Sequence, residues 1–239
     1  MYGWRARIGL LVPSNNAVIE PEFARMAPEG VAAYGARVLC GVEPPERLDE
    51  KLREAGIQAA RLADTKVNAI AYACLATSFF RLEGWSDTFC RNIEDATGIP
   101  CVTAESALVE ALQAVGAKRL AIATPQPSSR NPHVELLFAR AKFEVRSIRS
   151  LEIGDLTEVN RPGPEVAYRV GREADRAAPE ADAVCILATD FRTIEAIEPL
   201  ERDLGKPVVT NNQAIFWACL RRAGLRTPVQ GFGCLLRDV

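Results

Sequence analysis

Val67-Asn-Ala-Ile-Ala-Tyr-Ala-Cys74 matches Ala181-Asp-Ala-Val-Cys-Ile-Leu-Ala188 without a gap, and its last pair sets a thiol against a methyl. Both stretches are short apolar runs that end in small residues, the pattern of strands buried on both faces. A second pair supports the match. Gly98-Ile-Pro-Cys-Val-Thr103, followed by Ala107 and a helical stretch, returns as Gly205-Lys-Pro-Val-Val-Thr210, followed by Ala214 and another helical stretch. The chain therefore reads as a duplication with two facing halves. A rival alignment, Leu75-Ala-Thr-Ser-Phe79 on Leu187-Ala-Thr-Asp-Phe191, slips by two and sets Cys74 against Ile186. Neither register supplies a second thiol.

Outward from these runs, short apolar segments alternate with longer periodic ones, which is the signature of β-α units around parallel sheets. Strands are expected over 7–12, 33–39, 67–72, 101–102, 119–123, 143–150, 183–187 and 208–209. Helices are expected over 17–26, 48–65, 85–97, 105–115, 132–141, 164–178, 193–203 and 213–223. Glu43-Pro-Pro-Glu46 reads as a loop, Arg161-Pro-Gly-Pro164 as a turn into a helix, and Gly231-Phe-Gly233 as the approach to a final short strand. The fold class is α/β: two pseudo-symmetric, Rossmann-like lobes, each a doubly wound parallel sheet, with the active site in the cleft between them. The first lobe is expected over 1–116 with a C-terminal return over 213–239, and the second over 117–212.

The 239 residues suffice for two lobes of roughly 110 residues sharing one compact unit. Apolar residues make up 48% and charged residues 25%, with no run of about 18 apolar residues and no charged-then-apolar leader. No membrane partner is expected, and a cytoplasmic location is. Net charge is −2 with both signs interspersed, so no face concentrates the positive field that nucleic acid requires. The seven cysteines include no CxxC pair, and one histidine, His133, leaves no zinc spacing. Reduced thiols and no metal are expected. Without a GxGxxG or P-loop, no nucleotide cofactor is expected either.

Ligands of open parallel sheets bind beyond the carboxyl ends of the strands. Pro13-Ser-Asn-Asn16 stands there, where free N–H groups at a helix start attract an anion. Ser14, Asn15 and Asn16 are candidates to bind a carboxylate, against the alternative of an ordinary helix cap by Ser14 or Asn15; the functional reading rests on Asn16 being extra to that cap. Cys74 closes the third strand, where nearby backbone N–H groups would favour the thiolate. Leu75, Ala76 and Thr77 follow it at the same rim. Thr124-Pro-Gln126, Asn160, Thr189 and Asp190 line the opposite rim, and each has an alternative as plain turn or loop chemistry. Phe79, Phe80 and Trp85 are read as packing residues or as a pocket for an apolar substituent.

Strand, Pro-Ser-x-Asn-x-x-x-Glu over 13–20, Tyr-Ala-Cys over 72–74, Thr-Pro over 124–125 and Gly-x-Pro-Val over 205–208 together resemble the aspartate/glutamate racemase superfamily. More narrowly, they are similar to its maleate cis-trans isomerase and arylmalonate decarboxylase branch. The resemblance covers nearly the whole chain. It implies two pseudo-symmetric lobes, a cofactor-independent cleft and thiol chemistry on a small carboxylate, with the first cysteine as nucleophile and the second handling protons. Cys74 matches the first thiol, Asn16 a substrate-binding asparagine and Asn160 a second, loop-borne one. Ala188 stands where the second cysteine is expected, and Gln126 where a tyrosine is usual.

The leading expectation is thus a cofactor-independent isomerase of a small carboxylate or dicarboxylate acting through Cys74. The alternatives are an arylmalonate-type decarboxylase with Cys74 as proton donor, and a degenerate or engineered chain lacking the second cysteine that binds a carboxylate without turnover. A homo-oligomer is the only protein partner anticipated.

Overall fold

The computed structural model describes residues 2–41, 45–81 and 83–238. Strands β1 (Ala6–Pro13), β2 (Val31–Val38), β3 (Ala69–Tyr72) and β4 (Cys101–Thr103) form one parallel sheet in the order β2-β1-β3-β4. Strands β5 (Arg119–Thr124), β6 (Glu144–Ser150), β7 (Ala183–Ile186) and β8 (Val208–Thr210) form the other in the order β6-β5-β7-β8. The second sheet repeats the first. All pairings are parallel, as β-α connections require.

The reason lies in which strands are covered. Residues of β3, β4, β7 and β8 are buried throughout, whereas β2 and β6, at one edge of each sheet, mix partly buried and exposed positions. Ile8, Leu10, Leu11 and Val12 of β1 have no accessible surface. Each such side chain contributes about 1.5–3 kcal/mol by leaving water. Leu10→Ala, which opens a hole beneath both neighbouring strands, would cost about 2–5 kcal/mol.

Register follows the opening match. β3 pairs Ala69 to Tyr72 with Ile8 to Leu11, and β7 pairs Ala183 to Ile186 with Leu120 to Ala123. Just beyond, the Ala73 N–H donates to Leu11 O at 3.0 Å and the Leu187 N–H to Ala123 O at 2.9 Å. Ala73 is thereby equivalent to Leu187, and Cys74 to Ala188. The Gly-x-Pro-x-Val-Thr repeat is a capping device. Thr103 and Thr210 each accept from the third backbone N–H of the helix they start, and Ser106 and Gln213 return the bond. These helices, α4 (Ala104–Ala114) and α8 (Asn211–Arg222), pack on each other.

Five further helices cover the sheets: α2 (Pro45–Ala63), α3 (Trp85–Thr97), α5 (Asn131–Arg140), α6 (Pro164–Ala177) and α7 (Ile194–Leu204). Helix α1 (Ile19–Met26) starts two residues later than expected. The loop expected at 43–46 begins outside the described residues, and Pro45 already opens α2. The expected final strand is instead a short helix, α9 (Cys234–Asp238). Leu235 and Leu236 are both buried there, which suits one helical face and not the alternation of a strand. The Gln213 side chain donates to Phe232 O at 2.7 Å, tying this segment to α8, and Phe23 of α1 meets Phe216 of α8 edge-on at 5.1 Å. Among the described residues no helix is long and apolar enough to cross a membrane.

Candidate active site

The carboxyl ends of the two sheets meet at a small cleft with a cavity of about 50 Å³. Cys74 and Ala188 both line it, one from each lobe, with Asn15, Asn16, Leu75, Ala76, Gln126, Thr189 and Asp190. Pro13, Cys40, Gly41, Lys51, Arg130 and Leu156 complete the wall. Ser14 is exposed and outside it. Thr77 is buried behind it, its hydroxyl 2.9 Å from the Tyr72 phenol. Asn160 is a clamp beside it, accepting from Ala17 N–H at 3.0 Å and donating to Asn15 O at 3.0 Å.

Lys51 is the residue that sequence reasoning missed. It is 1% exposed, and its Nζ donates to Cys74 Sγ at 3.2 Å. Helical phase carries the signal: Leu48, Ala55, Ala59 and Leu62 are the buried stripe of α2, and a lysine three residues after Leu48 falls on that stripe. Burial is the largest influence on the Cys74 thiol and pushes it up. The Lys51 charge, hydrogen bonds from the Thr77 hydroxyl and Lys51, and the Thr77 N–H outweigh it, so the thiol titrates below its ordinary value. The expected backbone help is present in the Thr77 N–H, and the Lys51 charge is the addition. Two other buried thiols show the contrast: burial pushes Cys219 up to about 12 despite the Arg222 charge, and pushes Cys185 upward with nothing to oppose it.

Cys40 is a second thiol in the cleft, from the segment after β2 rather than from the opposite lobe. Burial raises it, and the nearby Cys74 adds to the rise while Lys51 opposes it. Arg130 lies four residues after Gln126 with its guanidinium 5.6 Å over the Phe80 ring. The Gln126 side-chain oxygen is buried without a hydrogen-bond partner.

Asn16 takes the capping role just ahead of α1, whose cap position, Val18, has no side-chain bond of its own. The Asn16 Oδ1 accepts from Val18 N–H at 2.9 Å and Ile19 N–H at 3.1 Å, the role expected of Ser14 or Asn15. Its Nδ2 donates to Thr189 Oγ1 at 3.2 Å, which leaves one amide hydrogen for a ligand. Thr189 Oγ1 donates in turn to Ala73 O at 3.0 Å, so the two rims are bonded to each other. Ala188 adopts φ 85°, a left-handed conformation uncommon for a residue with a Cβ. Asn211 holds it by accepting from its N–H at 2.9 Å, and Asn212 donates to Thr189 O at 3.0 Å. Asn212 also donates to Glu22 Oε2 at 2.7 Å, while Glu22 Oε1 accepts from Thr193 N–H at 2.7 Å. Burial outweighs these bonds and lifts the Glu22 carboxyl to about 7.

Residues 8–236 match the sequence pattern of arylmalonate decarboxylases. The chain belongs to the arylmalonate decarboxylase family. Members and relatives are enzymes of two named activities. The maleate isomerase of Pseudomonas putida is 32% identical over 96% of both chains. A solved double mutant of arylmalonate decarboxylase, glycine to cysteine and cysteine to serine, superposes in its liganded form with a TM-score of 0.89 and 27% identity, covering 98% of this chain and 100% of that one. A cysteine-to-serine mutant of Nocardia farcinica maleate cis-trans isomerase, with a covalently bound succinylcysteine intermediate, superposes with a TM-score of 0.88 and 27% identity over 98% and 99%.

Within this family frame the apolar trio takes the packing role. Trp85 and Phe89 stack around Tyr72, the Trp85 indole N–H donates to Glu105 at 2.7 Å, and Phe79 and Phe80 sandwich toward His133. None of them lines the cleft. Among the described residues no group of three or more His, Cys, Asp or Glu could hold a metal ion.

Proposed function

We propose that this chain is a cofactor-independent isomerase of a small unsaturated dicarboxylate, with Cys74 as nucleophile. The observation that carries this reading is the buried Lys51 ammonium 3.2 Å from the Cys74 sulfur. A thiol paired in this way holds more thiolate at neutral pH, and the thiolate is the nucleophile. The sulfur adds to one alkene carbon, and the π electrons move onto the neighbouring carbon and its carboxylate. What was a double bond is now single and rotates. Return of the electron pair re-forms the alkene with the other geometry and expels the thiolate. The solved succinylcysteine adduct of the Nocardia relative supports the addition.

Lys51 and Arg130, both lining the cleft, supply positive charge for two carboxylates, and Asn16 offers its remaining amide hydrogen. The division into lobes that accompanies this reading is 1–116 with 213–239, and 117–212. It is supported by α8, which packs on α4, β3 and β4 of the first sheet's side.

Decarboxylation of a malonate is the second reading, favoured by the family match. It asks Cys74 to deliver a proton, and a thiol held below its ordinary pKa by Lys51 is more often without one. The deciding experiment is proton NMR of the purified protein with maleate and with a malonate panel. Geometric conversion of the alkene, lost in Cys74→Ala, is the expected result. Carbon dioxide release without alkene conversion would replace the isomerase with the decarboxylase.

A further inference from the structure

The loop that places Ala188 across from Cys74 also brings a carboxyl group to the cleft. Asp190 is half-buried, lines the same wall as Asn15, whose side chain favours its charged form, and stands within electrostatic reach of Lys51 and Cys40. It does not wander. The two residues before it are held at the Ala188 N–H by Asn211, at the Thr189 carbonyl by Asn212, and at the Thr189 hydroxyl by Asn16 and Ala73. Burial outweighs the hydrogen bonds and the Lys51 charge and lifts this carboxyl to about 6, where it exists in both protonation states near neutrality.

A permanently ionised carboxylate would repel an anionic ligand in this cleft. A carboxylic acid would not, and it carries the proton that the methyl of Ala188 lacks. We infer that Asp190 is the proton-transfer residue of this cleft, acting from the second lobe on the carbon adjacent to the one that Cys74 attacks. The inference rests on the addition chemistry proposed above.

The steps balance. As the S–C bond forms, the alkene electron pair becomes a carbanion stabilised by its carboxylate. The Asp190 acid transfers its proton to that carbon and becomes a carboxylate, leaving a saturated succinyl thioether on Cys74. After rotation the Asp190 carboxylate removes a proton from the same carbon, the electron pair re-forms the alkene, and the S–C bond breaks to return the Cys74 thiolate.

The test is turnover of maleate in D2O, quenched in acid, followed by mass spectrometry of the Cys74 peptide after back-exchange in H2O. The parent should yield a succinyl group carrying carbon-bound deuterium. Asp190→Asn should lose it together with about a hundredfold or more of kcat, with KM changed less, and Asp190→Glu should restore part of both. Deuterated adduct at the parental rate in Asp190→Asn would overturn the role. So would a parent that isomerises without any carbon-bound deuterium in its adduct, and in that case the isomerase reading survives. A parent that neither isomerises nor forms an adduct would overturn that reading, and the role of Asp190 with it.

Discussion

Lys51 Nζ and Cys74 Sγ lie 3.2 Å apart, on different elements of the same lobe and both buried. The lysine Nζ also lies over the Tyr72 ring, 6.0 Å from its centre. Attraction between buried charges is worth several times its value in water, so the Lys51 charge leads the influences that lower the thiol against its burial, with Thr77 adding to it.

Lys51→Met keeps the length of the side chain and removes the charge. Burial then acts on Cys74 unopposed by it, and the thiol pKa rises. Each unit of rise lowers the thiolate fraction at neutral pH about tenfold. The pH dependence of iodoacetamide alkylation, read at the Cys74 peptide, should move to higher pH in the variant. An unchanged profile would remove Lys51 from the activation of the thiol. In the parent, Cys74 should label before Cys40, and long before Cys185 and Cys219.

Asn16 does two jobs with two atoms, and two substitutions separate them. Asn16→Ala removes both the cap and the bond to Thr189, and should cost about 1–2 kcal/mol in denaturant unfolding. Asn16→Asp keeps the capping oxygen and should lose less stability while still weakening carboxylate binding, measured by calorimetry. Equal loss of stability in both variants would mean that the Thr189 bond, not the cap, is what matters.

Glu22 makes stability depend on pH. Its carboxyl titrates near 7 in the folded chain against 4.5 for an ordinary glutamate, so the folded state binds the extra proton in that interval. Stability is therefore greatest below about 4.5 on this account and falls as pH rises to 7, by roughly 3 kcal/mol in all. Urea midpoints measured from pH 4.5 to 8 should show that decline, to which Asp190, lifted to about 6, adds its own share at the acid end, and Glu22→Gln should remove the part of the decline between pH 6 and 8. A parent slope between pH 6 and 8 that survives the substitution would place the linkage elsewhere.

Ala188→Cys sets a second thiol across the cleft from the first. Because position 188 lines the cleft, the added sulfur should cost no more than about 1 kcal/mol, at the mild end of overpacking. It should speed deuterium exchange or alkene isomerisation, read by NMR, and Cys74→Ala in the same background should abolish the gain. Equal rates in parent and variant would show that the side chain at 188 does not reach the substrate.

Much of this was legible before the fold was known. The strand runs, the duplication and the pairing of Cys74 with Ala188 rest on local patterns of apolar residues, which declare themselves along the chain. Asn15, Asn16, Leu75, Ala76, Gln126, Thr189 and Asp190 fall at the cleft because strand ends do so in any parallel sheet. Lys51 and Arg130 were not found, since each sits inside a helical or turn segment where a cation ordinarily faces water. The exchange of roles between Asn16 and its neighbours was hidden for another reason. Ser, Asn and Asp cap helices almost interchangeably, and only the backbone path decides which side chain reaches the N–H groups. The final helix was misread because five residues are too few to show a period.

The left-handed turn at Ala188 has a consequence for how this site can change. Unbranched residues with a Cβ meet a similar penalty there, about 1–2 kcal/mol, while Asn and Asp meet less and β-branched residues more. The turn is held by Asn211 and Asn212, whose bonds go to main-chain atoms and are indifferent to the side chain at 188. Position 188 therefore works as a socket. Its direction into the cleft is fixed by the frame, and what is plugged in can be exchanged one residue at a time, so the chemistry on that face can be rewired without redrawing the fold.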